Sequence, residues 1–584
     1  MSILGKSWKI TERKDNDLVK HLLLARDIPE SEQASFLNPD YERGLHSPDL
    51  LLDMNKAVGR VGRALKKNEK IVIYGDYDAD GVCAAALLQD VFTQLGAKNI
   101  SVYIPHRSEE GYGMNMEAVD QFIQDKVDLI ITVDCGSGNI AEIRRAQGAG
   151  IDVIVTDHHQ VLADNNPAYA FINPYRKGDK YPFKGLCGTA VAFKLASALI
   201  ASRQNWEVST PGKAKTGTVP ALGYEKWLLD LVAIATVTDV MPLVGENRML
   251  VKYGLLVLAQ TKRPGLRALL EIAGVKYTTE RSREKTNLNS HTLGFIIGPR
   301  LNAAGRMQHA DIAFKLVIAK DMQTARKLAK QLDETNQERR GLVEEIMKEA
   351  EKEDLESQPL IFIGAKHWPI GVAGIVAGRL AQKYYKPAFV YEKMAEGKLV
   401  GSVRTPQHFS TIKMLESAGA HLEKFGGHEA AGGFTALLEN EKKVFNALRN
   451  YALLRVKDLE AEELMPHITL DAELLVDEID LDLHTELARL EPHGEANSRP
   501  VFLLRDVALT QLTPVGVNGS HLKCFIEAKN KRFKAIGFRL ASYAQELRED
   551  QRADVAFHLA RDDFNSHPQV SLEIIDVKIK DNKL

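Results

Sequence analysis

The chain has 584 residues, enough for several domains, and 45% of them are apolar, so sizeable cores are possible. Its 76 basic and 78 acidic side chains leave a formal net charge of −2, which rules out nucleic-acid affinity carried by net charge alone; any such surface has to be local. Four cysteines without a CxxC pair argue against a disulfide scaffold or zinc ribbon, and no window approaches the ~18 consecutive apolar residues of a membrane span. The opening MSILGKSWKITERKDND lacks the apolar stretch of a signal peptide, so a soluble, cytoplasmic protein is expected.

Residues 1–50 are mixed and polar and predict a small helical segment. Strands are predicted at KIVIY (70–74), ISVYI (100–104), VDLIITV (127–133) and IDVIVT (151–156), with helix-like stretches such as VCAAALLQDVFTQLG and NIAEIRRAQGAG between most of them. That alternation predicts βαβ units and a parallel sheet buried on both faces, in an α/β domain over 51–320. SRQNWEVSTPGKAKTGTVPALG (202–223) is turn-rich and predicts an inserted loop. Residues 321–357 are charged and helix-prone, which fits a long linker helix or an amphipathic helix packed along one domain. A second, smaller α/β domain is predicted over 358–463, from PLIFIGA, GVAGIVAGRLAQKY, PAFVYE and LVGSVR. Short strands from HITLDAEL to SLEIIDVKI predict a closing β-barrel over 464–584.

YGDYDADG (74–81) places Asp76, Asp78 and Asp80 at alternate positions just past a predicted strand. It resembles the start of an EF-hand loop, but Leu87 stands where a bidentate Glu is needed and a strand precedes it in place of a helix. In extended chain, alternate residues point the same way, so the three acids are expected to converge. Asp134 ends a second predicted strand, and Asp157, His158 and His159 end a third. In open parallel sheets, sites form at the carboxyl ends of strands. Clustered acids repel unless a cation neutralises them, and hard oxygens with imidazole and no thiolate suit Mn²⁺ or Mg²⁺. The surplus of carboxylates suggests two ions and phosphoryl-transfer chemistry. Taken singly, each Asp could instead be a helix N-cap or turn residue.

In order, DYDADG, DCGSG and DHH resemble the DHH phosphoesterase superfamily, and RSEEGYGMN (107–115), GPRLNAAGRM (298–307), GVAGIVAGRL (371–380) and FGGHEAAGGF (425–434) extend the likeness to its bacterial exonucleases specific for single-stranded DNA. The resemblance implies a DHH catalytic domain, a DHH-associated nucleic-acid-binding domain and a C-terminal OB fold. It implies Mn²⁺- or Mg²⁺-dependent digestion of single-stranded DNA from the 5′ end, in repair and recombination, beside a helicase and a single-strand-binding protein; a monomer is expected. Carried over by motif, the metal ligands are Asp76, Asp78, Asp80, Asp134, His158 and Asp239, the last chosen over Asp230 because it closes the apolar run VAIATVTD. His159 resembles the histidine that meets the scissile phosphate, and Asp134 is expected to be catalytic as well. Asp157 is read either as a group orienting a histidine or as a helix N-cap. Gly426, Gly427 and His428 are expected to contact the substrate backbone. Arg107, Arg300, Asn302, Arg306 and Arg404 are further substrate candidates, with a structural ion pair the bland alternative for the arginines. In the barrel, Lys523, Lys529, Lys531, Arg532, Lys534 and Arg539 alternate with Phe525, Phe533 and Phe538, a composition suited to sequence-tolerant single-strand binding, although a charged hairpin with Phe in its core would look alike.

Overall fold

The computed structural model describes residues 2–107, 109–161, 165–202, 223–276, 287–547, 551–563 and 567–580. Most of the predicted inserted loop, residues 203–222, lies outside them.

The first 50 residues are less independent than expected. They hold a strand, β1 (Ser7–Ile10), as well as short helices. Ile3, Leu18, Leu22, Leu23 and Phe36 join the hydrophobic core of the C-terminal barrel, and β1 pairs in parallel with a strand 460 residues later, Ser7 opposite His467. The indole of Trp8 donates to Asp576 at 2.9 Å.

Five parallel strands follow: β2 (Ile71–Tyr74), β3 (Ile100–Tyr103), β4 (Leu129–Val133), β5 (Asp152–Thr156) and β6 (Ala170–Ile172), ordered 3-2-4-5-6. Only β6, three residues long, has no counterpart among the predicted strands. Side chains alternate between two cores: Ile71, Ile73, Ile131 and Ile154 face one, and Val72, Tyr74, Ile130 and Val153 the other. Burial of both faces explains why these strands read as unbroken apolar runs. On the larger core lie helices α1 (Ala79–Gln94), α2 (Gly188–Ser202) and α3 (Leu229–Thr238), each apolar almost all round. A π-helical turn, Thr292–Ile297, runs into α4 (Gly298–Met307).

Helix α5 (Met322–Ala350) serves both roles considered for it. Ala325, Ala329 and Leu332 pack on the core of the parallel-sheet domain, while Val343, Ile346, Met347 and Ala350 pack on the next domain. At 1.5 Å per residue its 29 residues make an unbroken strut of about 43 Å. The second domain is a mixed five-stranded sheet of β7 (Ile361–Ala365), β8 (Ala388–Lys393), β9 (Lys398–Arg404), β10 (Lys424–Gly427) and β11 (Ala431–Leu437), ordered 10-11-9-8-7 and covered by α6 (Ile370–Tyr384).

Past β12 (His467–Leu470) and the short β13 (Ala472–Glu473), five strands close a barrel: β14 (Phe502–Val515), β15 (His521–Ala528), β16 (Lys531–Gly537), β17 (Arg552–Asp562) and β18 (Gln569–Ile579). Neighbours run 14-15-16-18-17, and β14 returns to β17. Arg248, fully buried in helix Gly245–Leu258, ties the parallel-sheet domain to this end of the chain. Its guanidinium donates to the carbonyls of Phe36, Leu490 and Arg489 at 3.0, 2.7 and 2.8 Å.

Candidate metal centre

The acids do converge, but not as residues of an extended chain. The strand β2 stops at Tyr74, the chain turns, and α1 begins at Ala79. Asp78 caps that helix, its Oδ1 accepting from the amides of Asp80 and Gly81 at 2.9 and 3.1 Å, and Asp80 sits in the first turn. The helix folds back onto the turn because Gly81 has no side chain: a Cβ there would lie 2.5 Å from the backbone N and O of Asp76. Alternation thus counted the acids correctly and misplaced the cause.

Asp80 also binds the neighbouring helix. Its carboxylate accepts from the amides of Gly188 and Thr189, both at 2.7 Å, at the start of α2. Asp134 follows β4 in the left-handed region, φ +61°, with its carboxylate against Gly188, where a Cβ would come within 2.5 Å. His158 follows β5. Its Nε2 lies 3.1 Å from Asp134, 3.6 Å from Asp239 and 3.8 Å from Asp80. Asp239 terminates α3, as the apolar run implied. Asp230 is elsewhere, bonded to Thr261 at 2.8 Å and paired with Arg263 at 3.3 Å.

Among the described residues three groups of three are close enough to hold an ion: Asp76, Asp78 and Asp134; Asp80, His158 and Asp239, which shares no residue with the first; and Asp134, His158 and His159, which overlaps both. Within each, one potential donor atom per residue lies within 4.8 Å of the others. Electrostatics describe a cation-seeking cluster. Burial and mutual repulsion push the carboxyls of Asp76, Asp78, Asp134 and Asp239 above the ordinary range. Burial also lowers His158, favouring the neutral imidazole a metal needs. Asp76 Oδ1, Asp134 Oδ1 and His158 Nε2 are buried without hydrogen-bond partners. Orphaned atoms of this kind, all oxygen or imidazole nitrogen, fit Mn²⁺ or Mg²⁺.

His159 is built differently. Its side chain is 41% exposed, and its Nδ1 lies 2.8 Å from Asp157 Oδ1. Burial opposes a charged ring, but the hydrogen bond and charge of Asp157 outweigh it and raise His159 to about 9. Burial likewise opposes ionisation of Asp157, yet His159 and the Ser137 amide hold its carboxyl well below the usual range. Asp157 therefore orients a histidine and caps no helix. Tyr112, which the sequence reading passed over, joins this group: its hydroxyl lies 2.9 Å from His159 Nδ1 and donates to the Asp134 carbonyl at 3.2 Å. The signal was present in GYGMN, where glycines at φ +82° and +81° flank the tyrosine.

The substrate candidates fall into three sets. Arg107 lies over the Tyr77 ring at 4.9 Å. Burial, together with the charges of Arg107, Arg339 and Arg404, pushes Arg306 down to about 10. These arginines form one cationic neighbourhood; Arg339, on α5, is a member the sequence reading missed. Arg300 takes the bland alternative, a 2.9 Å ion pair with Asp333 of α5, and Asn302 accepts from the Ala79 amide at 2.7 Å, steadying the acidic loop. Gly426, Gly427 and His428 lie at the tip of the exposed β10–β11 hairpin on the sheet edge. Gly427 has φ +150°, and a Cβ there would meet the Ala431 carbonyl at 2.4 Å, the same carbonyl that accepts from the His428 amide at 2.8 Å, so glycine is what lets the hairpin close beside His428. In the barrel much of the expected charge is paired: Arg532 with Glu527 at 3.2 Å and Lys534 with Asp562 at 2.9 Å. Phe533 is core, whereas Phe538 is exposed.

Family models match three stretches: the DHH family N-terminal domain at 70–236, the DHHA1 domain at 358–453 and the RecJ OB domain at 470–576. The single-stranded-DNA-specific exonuclease RecJ of Bacillus subtilis is 32% identical over 97% of this chain and 68% of its own length. Its namesake in Dickeya dadantii is 33% identical over 91% of each chain. Among solved structures, RecJ from Thermus thermophilus in complex with Mn²⁺ aligns with a TM-score of 0.78 at 27% identity, covering 98% of this chain and 79% of that one. An exonuclease RecJ bound to manganese aligns at 0.58 and 32% identity, covering 71% of this chain and 98% of that one.

Proposed function

The chain belongs to the RecJ family of DHH phosphoesterases, and from that premise we propose that it is a metal-dependent exonuclease that hydrolyses single-stranded DNA from the 5′ end. The observation that carries the reading is the pair of ligand groups sharing no residue at the carboxyl ends of β2, β4 and β5 and the end of α3. Asp76, Asp78, Asp80, Asp134, His158 and Asp239 would hold two ions, Mn²⁺ or Mg²⁺, which when bound lower the pKa of a water and neutralise charge on the leaving oxygen. The protein supplies the rest. Asp157 holds His159 through Nδ1, leaving Nε2 to carry a proton at neutral pH toward the scissile phosphate or its leaving oxygen. Arg107, Arg306 and Arg404 offer fork-shaped donors to the DNA backbone beside the acids, and the exposed hairpin at Gly426–His428 offers a glycine surface bare of side chains with the His428 imidazole at its tip.

Among the described residues, no helix is long and apolar enough to cross a membrane. Four free, buried cysteines fit a reducing cytoplasm, and family membership supports a place in repair and recombination beside a helicase and a single-strand-binding protein. The test is digestion of an end-labelled oligonucleotide with either end blocked, with Mn²⁺, with Mg²⁺ and with a chelator. Loss of digestion on chelation and on blocking the 5′ end supports the reading; digestion in chelator, or of duplex and single strand alike, overturns it.

A further inference from the structure

Between the catalytic domain and the barrel lies a cavity of about 1370 Å³. That exceeds the ~300–1,000 Å³ of small-molecule pockets and suits a polymer. None of the six candidate ligands lines it, but Thr238 and Val240, the residues on either side of Asp239, both do, so its wall runs past the end of α3. Val240 is 66% exposed and held at φ +55°, a conformation that β-branched residues rarely adopt.

Two aromatic platforms on different domains line the cavity. On the catalytic domain, Phe295 is 73% exposed on the π-helical turn and stacks on His291, ring centroids 4.8 Å apart at 26°. On the barrel, Phe538 is 51% exposed and stands edge-on to His521 at 5.3 Å. A single exposed Phe needs no explanation. Two of them, each braced by an imidazole and lining one cavity that also takes in both chain neighbours of Asp239, do. Arg539 lies next to Phe538 on the same wall, a cation suited to a phosphate.

Resting on the reading of the chain as a single-strand nuclease, we propose that Phe295 with His291 is a base-stacking platform belonging to the catalytic domain itself, opposed across the cavity by Phe538 with His521. The strand entering the metal centre stacks one base on each. Stacking is blind to base identity, because every base has a π face, so the clamp adds affinity without sequence preference. A duplex hides those faces in its own stack, so the clamp favours single strands independently of the width of the passage.

The test is fluorescence anisotropy in EDTA, so that binding is read without turnover, with a labelled oligothymidylate and an abasic strand of equal phosphate number. Phe295→Ala is expected to weaken binding of the base-bearing strand by roughly 5- to 100-fold and to leave the abasic strand unchanged, with Phe295→Trp restoring affinity. At 73% exposure, Phe295 can be truncated without a core cavity, and an unshifted unfolding midpoint checks this. Equal losses on both strands, or none on either, would overturn the proposal. A wild-type protein that neither binds nor digests single strands would instead bring down the nuclease reading beneath it.

Discussion

Asp134→Asn separates the ligand cluster from its cation. Carboxylate oxygens within 4.8 Å of one another repel by about 3.5 kcal/mol per ionised pair at an effective dielectric constant of about 20. Asp134 feels Asp80, Asp78, Asp76 and Asp239 together, and proton uptake relieves part of that repulsion. Removing its charge should therefore stabilise the metal-free protein by roughly 1–3 kcal/mol at pH 8. The backbone gives no objection, since Asn tolerates φ +61° as Asp does. With Mn²⁺ that advantage is offset: at about 100 times its Kd the ion stabilises wild type by about 2.7 kcal/mol, and the variant should gain little. Thermal unfolding midpoints in EDTA and in Mn²⁺ read both arms. A variant less stable than wild type in EDTA, yet equally responsive to Mn²⁺, would refute the idea that these acids are held together for a cation.

Asp157→Asn should cut kcat by about 10²-fold or more, the range of general acid–base contributions. His159 is charged below its folded value of about 9, so the activity it supports is lost as pH rises through 9; without Asp157 that limb should move down toward 6.5, as a kcat–pH profile would show. Gly188→Ala drives a methyl into the Asp134 carboxylate and should weaken Mn²⁺ binding measured by calorimetry more than it shifts unfolding of the barrel. Arg248→Met takes the donor from the Phe36 and Arg489 carbonyls, while Leu490 keeps Asn497, and should cost about 1–3 kcal/mol, loosening the barrel from the catalytic domain, visible as earlier proteolysis at that junction.

The strands at the catalytic edge were legible because burial on both faces makes them unbroken apolar runs, and their terminal acids stand out against those runs. Asp239 was legible for the same reason, at the end of an all-apolar helix. Three things were not legible. The convergence of Asp76, Asp78 and Asp80 depends on a turn into α1 that only the close approach at Gly81 reveals. The pairing of Ser7 with His467 joins residues too distant for any local pattern to report. Arg300 and Arg306 sit in one motif with the same chemistry, but α5 places Asp333 against the first and Arg339 near the second, so one is neutralised and the other is not. Similarly, inward alternation along β16 buries Phe533, while Phe538 lies just beyond the strand and stays exposed.

The most direct test is anomalous difference scattering at the manganese edge from crystals of the wild-type protein soaked in Mn²⁺. The account predicts two peaks, one bounded by Asp76, Asp78 and Asp134 and the other by Asp80, His158 and Asp239. Ordered manganese elsewhere, with none among these six side chains, would contradict it.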